Sequence, residues 1–456
     1  MATDPAIILA KIKQLDAVRT AASQSKQVAS LLHQNTNAPL EVKKPVSDRK
    51  WRICGNLIIK NEQINMKDVI NSIAPYCDAI AILDTGSRST DAGVSIAQET
   101  MAELGIPGKI RCVNMPSGIN FHFGNARTEA LRFAEEVVRE QILKDTVVIP
   151  QGPLFKDEYD YYNKNTNNWY VFTIDADNRV ITSPDGPFID KTALGAEKYD
   201  SMFLRYVTFS SHCMCKLDLD RFHLWCWKDE RHEYCTPVGD YDWKKGQLKH
   251  GYILSGRTGE RAVDGQETYR IDQFLFERRM IKDPYDDRAL FYAGQSARDA
   301  GNKAQALTYY IKRGTMARGW HQERYVALVE AGKLHFEIYP NDHLEGVELF
   351  MKAMDICHDR LEAVYHVVDY YRDQKMWKIG WAIAKDYLHV EYPSGDTLFI
   401  TVDIHKWKFN WVASLVAYYA NDFESFKMLT NRVLACTVTP EHVLKQANIN
   451  LTLMPK

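Results

Sequence analysis

The stretch that decides the fold spans residues 167–180 and reads "NNWYVFTIDADNRV". Residues 169–174 are aromatic, apolar or β-branched, which is typical of a buried strand. Two aspartates follow at once, Asp175 and Asp177, with Ala176 between them. In an extended segment these side chains point the same way, so their charges repel unless a cation lies between them. Because hard cations prefer carboxylate oxygens, the pattern predicts a Mg²⁺ or Mn²⁺ site that also holds substrate phosphates.

Strands and helices alternate on the N-terminal side of this stretch. We predict strands in "WRICGNLIIKNE", "DAIAILDTGSRST" and "KIRCVNM", and helices in "MKDVINSIAPYC", "DAGVSIAQETMAEL" and "NARTEALRFAEEVVREQIL". This alternation predicts an α/β fold, Rossmann-like, with a mostly parallel sheet and helices on both faces. Ligands of such sheets bind outside the carboxyl ends of the strands. The long segment 145–168 is either an insertion that shapes the substrate site or an incidental loop.

The periodicity divides the chain into three parts. Residues 1–48 are predicted to form an N-terminal helical segment and a linker, 49–282 the sheet domain, and 283–456 an all-α helical-repeat domain. Segments starting at 288, 324, 361 and 411 recur with a spacing of roughly 36, close to the ~34 of tetratricopeptide repeats. Stacked repeats would form a short solenoid with a concave face. Its aromatic residues are interpreted first as core and second as a peptide-binding face.

Composition places the chain among ordinary globular proteins. It has 456 residues, 45% hydrophobic and 25% charged, and a net charge of −2, so no global field attracts nucleic acid or anionic lipid. No apolar run approaches ~18 residues, and the N-terminus does not resemble a secretory signal, so we expect no membrane span and a cytoplasmic location. The nine cysteines are scattered, which favours reduced thiols. The alternative is a zinc site built from Cys213, Cys215, Cys226 and Cys235.

Polar residues also follow the other predicted strands. Asp84 ends the second strand, where it can meet a ribose or a base, and Gly86 permits a close backbone approach. Ser87, just before the second helix, is first interpreted as a helix cap. Arg127 lies at the start of the third helix, a position suited to phosphate. A salt bridge at a domain boundary is the other interpretation of Arg127.

These motifs together resemble glycosyltransferase family 2, whose catalytic domain has a GT-A fold. The resemblance covers roughly residues 51–330 and rests on "KNE" (60–62), "DTGSRSTD" (84–91), "FHFGNAR" (121–127) and "DAD" (175–177). The second motif is one residue longer than is usual in the family before Thr90 and Asp91. A bacterial and viral subgroup with C-terminal helical repeats has a W…H-E element, here "WCWKDERHEY" (225–234), and a later histidine, here in "KHGY" (249–252).

The resemblance implies roles for particular residues. The metal ligands would be Asp175 and Asp177, completed by His250 or His232. Glu233 would be the catalytic base, with Asp229 and Asp240 as alternatives. Trp225 and Trp227 would stack on a sugar ring or belong to the core. The nucleotide-sugar would contact a larger set: Asn61, Glu62, Asp84, Gly86, Ser87, Arg127, Asp175, Ala176 and Trp227.

By this resemblance the chain is expected to be an inverting, Mn²⁺- or Mg²⁺-dependent glycosyltransferase, with a UDP-sugar as the leading donor. The acceptor stays open among a glycan, a protein, a lipid-linked sugar and a nucleic-acid base, the last disfavoured by the absence of a Lys/Arg cluster. A nucleotidyltransferase is disfavoured because "CGNLIIKNEQ" lacks a glycine-rich phosphate loop. The other alternative is a non-catalytic nucleotide-binding scaffold that acts through its helical repeats. Those repeats also raise the option of a homo-oligomer.

Overall fold

The computed structural model describes residues 51–147, 168–192, 194, 199–205, 210–217, 223–248, 250–256, 258, 265–393 and 398–454. The predicted N-terminal segment 1–48 lies outside these residues, as does most of the predicted insertion 145–168. The helix that precedes this insertion extends to Val147.

A seven-stranded sheet forms the centre of the N-terminal domain. The strands of this domain are β1 (Arg52–Ile59), β2 (Ala79–Asp84), β3 (Gly108–Cys112), β4 (Trp169–Thr173), β5 (Arg179–Ile181), β6 (Ser201–Arg205), β7 (Ser210–Lys216), β8 (Trp225–Lys228), β9 (Tyr234–Pro237), β10 (Lys245–Gln247) and β11 (Tyr252–Leu254). The large sheet has the order β10-β6-β7-β4-β1-β2-β3. Only β7 is antiparallel to its neighbours β4 and β6, so the predicted mostly parallel sheet is confirmed.

Helices α1 (Met66–Ile73), α2 (Gly93–Glu103) and α3 (Phe123–Val147) cover both faces of this sheet. Alternate residues of a strand point to opposite faces, and β1 shows this directly. Ile53 and Leu57 share a buried cluster with residues of α1 and α2. Cys54, between them, packs with Leu131 and Val138 of α3 in a separate cluster. The continuous burial of β1, β2 and β4 follows from this double cover.

Two small antiparallel pairs flank the large sheet. Strands β5 and β11 pair just after the two aspartates, with Arg179 opposite Leu254 and Ile181 opposite Tyr252. Strands β8 and β9 form a hairpin whose buried residues pack against α3. The five residues 229–233 that connect β8 to β9 are called the hairpin loop below.

The C-terminal part consists of consecutive helices that pack against one another. They are α4 (Gly265–Lys282), α5 (Asp287–Asp299), α6 (Lys303–Thr315), α7 (His321–Ile338), α8 (Leu344–Ile356), α9 (Glu362–Asp373), α10 (Trp377–Ala384), α11 (Phe409–Tyr419), α12 (Phe423–Ala435) and α13 (Glu441–Thr452), with a π-helical turn at Ile404–Lys408 before α11. The predicted repeat starts fall within three residues of the starts of α5, α7, α9 and α11.

The helical part begins earlier than the predicted boundary at 283. Phe276 of α4 shares a buried cluster with Phe291 and Tyr292 of α5, so α4 packs as the first helix of this part. No helix in the described ranges is long and apolar enough to span a bilayer.

Candidate active site

The carboxyl ends of β4, β1 and β2 lie side by side, because these strands are neighbours and parallel. In the register of the sheet Ile59 is opposite Asp84, and Asn56 is opposite Thr173. The residues that follow each strand therefore meet at one edge: 61–62 after β1, 84–87 at the end of β2, and 175–177 after β4. This is the edge at which α/β sheets bind ligands.

The turn after β4 is fixed by its own backbone and by Arg179. The Asn178 amide donates to the Asp175 carbonyl at 3.0 Å, and Arg179 Nη1 donates to the carbonyls of Ala176 at 2.9 Å and Asn178 at 2.7 Å. Gly256 packs so closely on the turn that a Cβ there would lie 1.9 Å from the Asp177 carbonyl oxygen. Sequence reasoning missed Arg179 and Gly256, although a cation directly after two aspartates was a visible signal.

The carboxylates at this edge are close enough to disfavour one another's charge. Burial raises the pKa of Asp177, and the neighbouring Asp175 raises it further. Burial also raises the pKa of Glu62; a hydrogen bond of 2.6 Å from Asn65 counteracts this rise, while Asp177 and Asp175 add to it. The repulsion expected from the D-A-D spacing is therefore present and extends to a third carboxylate.

Arg127 lies between the first aspartate and the predicted base. Its Nη2 donates to Asp175 Oδ1 at 2.5 Å, and its Nε donates to Glu233 Oε1. Its side chain is 9% exposed and that of Glu233 12% exposed, and the guanidinium lies 5.2 Å from the centre of the Trp227 ring. Burial opposes the charged form of Arg127, but Asp175 and Glu233 outweigh it and raise the pKa of Arg127. Arg127 thus links the carboxylates within the sheet domain, rather than forming a salt bridge at its boundary.

Asp84 organises the loop that follows β2. Its Oδ1 accepts hydrogen bonds from the amides of Gly86 at 3.2 Å and Ser87 at 2.9 Å, and from Ser87 Oγ at 2.7 Å. Gly86 has φ +118°, a conformation that L side chains rarely adopt. Ser87 therefore closes this loop instead of capping α2. Asp91 fills the end of the loop, since its Oδ1 accepts from the Gly93 amide at 2.8 Å.

Asn61 presents an unused donor at the same edge. It has φ 55°, its amide donates to Ser87 Oγ at 2.9 Å, and its Oδ1 accepts from the Arg88 amide at 2.8 Å. Its Nδ2 is buried and has no hydrogen-bond partner among the residues that the structure describes. Buried polar atoms are nearly always satisfied, so an orphaned amide fixed on both sides is a candidate ligand contact.

His232 and Glu233 are neighbours in the hairpin loop, but their side chains point in different directions. The His232 ring stacks on Tyr292 of the helical part, with ring centres 4.0 Å apart, whereas the Glu233 carboxylate binds Arg127. Asp229 contacts two arginines of the helical part: Oδ1 meets Arg279 at 3.0 Å and Oδ2 meets Arg288 at 2.8 Å. The structure thus brings Glu233 to the aspartates, and places His232 and Asp229 against the helices. Asp240 is exposed after β9.

His250 lies at the far end of the β5–β11 pair. A Cβ on Gly186 would be 3.0 Å from its ring, beside the turn that follows β5. The register of β5 and β11, continued by two residues, places Gly256 rather than His250 opposite Asp177. Within the described residues, no group of three metal-binding side chains joins either predicted histidine to the two aspartates.

The two tryptophans are core residues. Trp225 is 1% exposed, and its Nε1 donates to the Lys216 carbonyl at 2.7 Å. Trp227 is 7% exposed, and Thr128 bonds its backbone at 2.9 and 3.2 Å. The Trp227 Nε1 is buried and finds no hydrogen-bond partner in the described ranges. The ring packs beneath Arg127, so its part in the site is to support that guanidinium.

The donor set suits a hard cation that brings further ligands with it. Within the described part of the chain, no three His, Cys, Asp or Glu residues are arranged to hold a metal alone. Asp175 and Asp177 offer carboxylate oxygens, and Asp175 Oδ2 lies 3.5 Å from Asn178 Nδ2, a long hydrogen bond. Two carboxylates are sufficient for Mg²⁺ or Mn²⁺ when phosphates and water complete the shell. As for the zinc alternative, no disulfide joins Cys215, Cys226 or Cys235 to another described residue, and the Cys213 side chain lies outside the described residues.

No protein-family model matches the sequence, and no curated protein matches it. Solved structures resemble part of it. The MamA protein is 14% identical, with 42% of this chain and 91% of that chain covered and a TM-score of 0.29. A thermophilic TPR protein of Thermus thermophilus is 14% identical, with 41% and 93% covered and a TM-score of 0.28. YrrB, a TPR protein with an unusual peptide-binding site, is 12% identical, with 42% and 86% covered and a TM-score of 0.30. Likenesses this weak give no information on activity.

Proposed function

We propose that this chain is a metal-dependent inverting glycosyltransferase of the GT-A type, which transfers a sugar from a nucleotide-sugar to an acceptor still to be identified. A UDP-sugar is the leading donor. The observation that carries the proposal is the meeting of Glu62, Asp175 and Asp177 at the carboxyl ends of adjacent parallel strands, where burial first, and the neighbouring carboxylates in addition, raise the pKa of Glu62 and Asp177. Such a conflict destabilises the free protein and is relieved when a cation and its phosphates bind.

Each residue of the edge then has a defined task. Asp175 and Asp177 would hold Mn²⁺ or Mg²⁺, which supplies positive charge to the departing diphosphate. Asn61 Nδ2 is an unsatisfied donor for the base or ribose. Asp84 holds the 84–87 loop in shape, so its contribution to the nucleotide site is to fix Ser87 and, through Ser87 Oγ, Asn61. Arg127 keeps Asp175 and Glu233 at a fixed distance from each other.

The transfer itself needs one proton acceptor. The acceptor oxygen forms a bond to the anomeric carbon as the bond from that carbon to the diphosphate oxygen breaks, and the electron pair leaves with the diphosphate. The acceptor's proton goes to a carboxylate, for which Glu233 is the candidate because it lies across Arg127 from Asp175. A single displacement of this kind inverts the anomeric centre.

A second candidate function is a nucleotide-binding scaffold without catalysis. One observation favours it: the same arginine forms ion pairs with both Asp175 and Glu233, so two of the required carboxylates already have a cationic partner. In such a protein Arg127 would replace the cation as the charge that holds the loops together, and nucleotide affinity would not depend on metal.

Donor hydrolysis by the purified full chain tests the proposal. UDP-, GDP-, TDP- and CMP-sugars are incubated with Mn²⁺, with and without EDTA, and the same samples are titrated by calorimetry. We expect release of one nucleotide that stops with EDTA and falls at least ~100-fold in Asp177→Asn. Asp185→Asn is the matched control, because Asp185 lies in the turn after β5 and bonds to Ser183 within that turn.

The outcomes separate the two candidates. Metal-dependent turnover or metal-dependent nucleotide binding supports the transferase. Nucleotide binding that is equal with Mn²⁺ and EDTA, without turnover, supports the scaffold. Binding of no nucleotide under either condition contradicts both.

A further inference from the structure

The hairpin loop joins the candidate active site to the helical part through consecutive residues. Glu230 accepts from Arg278 of α4 at 2.9 Å, and Arg231 Nε donates to Asp272 of α4 at 2.8 Å in a pair that is about 5% exposed. His232 stacks on Tyr292 of α5. The next residue, Glu233, turns the other way and binds Arg127. Four successive residues of the loop, 229–232, are thus held by helices, and the fifth belongs to the site.

Arg288, in the first turn of α5, holds this loop at two points. Its Nε donates to Asp229 Oδ2 at 2.8 Å, and its Nη2 donates to the His232 carbonyl at 2.7 Å. The His232 carbonyl belongs to the peptide bond that leads into Glu233. The guanidinium also lies 4.7 Å from the ring centres of Tyr234 and Tyr292. One side chain of the helical part therefore sets the span from the first residue of the loop to the residue before Glu233.

The loop needs such support because its backbone is strained. Asp229 has φ 73° and His232 has φ 51°, both in the left-handed region that residues with a Cβ rarely occupy. Residues in this region keep their conformation only where the surrounding structure determines it. Arg288 contacts the side chain of one of these residues and the carbonyl of the other.

The loop also caps the helix that carries Arg127. The amides of Phe123 and Gly124, at the start of α3, donate to the carbonyls of Glu230 at 3.2 Å and Asp229 at 3.1 Å. A shift of the loop would therefore move Glu233 directly and the first turn of α3 through its cap. Both ends of the Arg127–Glu233 pair depend on the same five residues.

We propose that Arg288 is a positioning residue for the candidate active site, so that the helical repeats complete this site from outside the sheet domain. The inference rests on the proposed function, because it assigns Arg288 a role in that reaction. Arg288 acts through the hairpin loop, and none of its contacts among the described residues is with Asp175, Asp177 or Arg127. Its effect should fall on the reaction step rather than on donor binding, since Asn61 and Asp177 lie on other loops.

Steady-state kinetics of donor hydrolysis with Mn²⁺, measured on full-length Arg288→Met, tests this role. We expect kcat to fall between ~10- and 100-fold, the scale of a misplacement of about 1 Å, while KM for the donor stays within about threefold. Arg298→Met is the matched control: Arg298 is on the same helix, but it pairs with Glu330 and Asp299 inside the helical part, so kcat should stay near that of the unmodified protein. Arg288→Lys keeps the charge and loses the two-point contact, so it should recover little of the loss. Full activity in Arg288→Lys would overturn the two-point role.

Hydrogen exchange at Phe123 and Gly124 separates a failure of this inference from a failure of the proposed function. In Arg288→Met these amides should exchange about tenfold faster than in Arg298→Met, because their acceptors are on the loop. Faster exchange in a protein whose unmodified form shows neither turnover nor metal-dependent nucleotide binding means that the link exists and the proposed function is wrong. Turnover in the unmodified protein, with unchanged exchange and unchanged kcat in Arg288→Met, means that the proposed function stands and the positioning role is wrong.

Discussion

Arg127 Nη2 lies 2.5 Å from Asp175 Oδ1, so the first aspartate of the D-A-D motif forms an ion pair with an arginine of the protein itself. Asp175 is 45% exposed and Arg127 only 9% exposed, so the pair reaches from the protein interior to the open edge of the sheet. The guanidinium holds one carboxylate oxygen and leaves the other facing the edge. The pair therefore orients Asp175, and the cation proposed for this site would meet an already fixed ligand.

Removing this arginine should destabilise the protein more than removing a surface arginine. In Arg127→Met, the largely buried Glu233 loses its guanidinium, and breaking a buried pair costs about 3–5 kcal/mol. The exposed Asp175 side of the contact adds little. We expect a loss of about 3 kcal/mol in urea unfolding, and Arg127→Met combined with Glu233→Gln should lose about 1 kcal/mol less than the single variant.

The control for this prediction is Arg111→Met. Arg111 also joins a strand to α3, through Glu136 at 2.5 Å, but both side chains are at least one-third exposed, so the loss should stay below about 1 kcal/mol. Equal losses in Arg127→Met and Arg111→Met would show that the Arg127 pair does not stabilise the site.

Neutralising Asp177 should stabilise the metal-free protein. Because its pKa is raised in the folded state, the unfolded chain releases this proton first as the pH rises above ~4. Stability is then lost with rising pH, and Asp177→Asn avoids that loss. We expect a gain on the order of 0.5 kcal/mol at pH 7 in EDTA, which shrinks as the pH approaches 4.

Urea unfolding at pH 7 and pH 4 measures this gain, with Asp185→Asn as the control that should show none. Mn²⁺ together with the bound nucleotide should reverse the order at pH 7, since only the unmodified protein keeps both aspartates. A variant less stable than the unmodified protein in EDTA would contradict the charge conflict on which the proposed function rests.

Gly256 should be essential for the position of the second aspartate. A Cβ at this residue would lie 1.9 Å from the Asp177 carbonyl oxygen, and backbone cannot yield as a side chain can. Gly256→Ala should therefore displace the turn and weaken Mn²⁺-dependent nucleotide binding at least ~10-fold, or about 1.4 kcal/mol. At Gly265 the nearest atom to an added Cβ is 3.9 Å away, so Gly265→Ala should bind as the unmodified protein does. Calorimetry measures the nucleotide affinity of both variants with Mn²⁺. Equal affinities would show that the turn at Asp177 does not contribute to the binding site.

The sequence was sufficient for those parts of the site that follow from local pattern and sheet topology. A strand that is followed by Asp175 and a strand that ends in Asp84 must reach the same edge once the sheet is parallel. Local pattern and sheet topology did not predict which residues the hairpin loop contacts. Glu233 binds an arginine 106 positions away, and neighbouring His232 faces the helices only because the backbone between them adopts positive φ. Local pattern carries no information on such a turn when no glycine marks it.

Helix α4 shows the same limit at the scale of domains. Its residues were assigned to the sheet domain because the repeat pattern starts after it, yet Phe276 packs in the helical core. A first helix that caps a stack departs from the repeat consensus, because one of its faces meets a different neighbour. Here that neighbour is the hairpin loop, which Asp272 of α4 contacts through Arg231.

His366 should make the helical part sensitive to acid. Its ring stacks on Phe350 with centres 4.8 Å apart, and burial lowers its pKa to about 4, helped by Lys333 and opposed by Glu330 and Glu362. The folded protein therefore keeps the imidazole neutral, while the unfolded chain binds a proton below about pH 6.5. Stability is unaffected by this group above that pH and is lost as the pH falls toward 4.

For one such group the loss between pH 7 and pH 5 is about 2 kcal/mol, so His366→Phe, which keeps a flat ring and cannot titrate, should remove about that much of the pH dependence in urea unfolding. His358→Gln is the control, since His358 is exposed in the turn after α8 and its replacement should leave the dependence unchanged. If the helical part unfolds as a unit, the same difference should appear in the hydrogen exchange of α7 and α9, and not in that of β1 or β2. An identical pH dependence of stability in His366→Phe and the unmodified protein would contradict this prediction. It would mean that His366 binds a proton in the folded protein, with its ring turned from Phe350 toward Glu330 or Glu362.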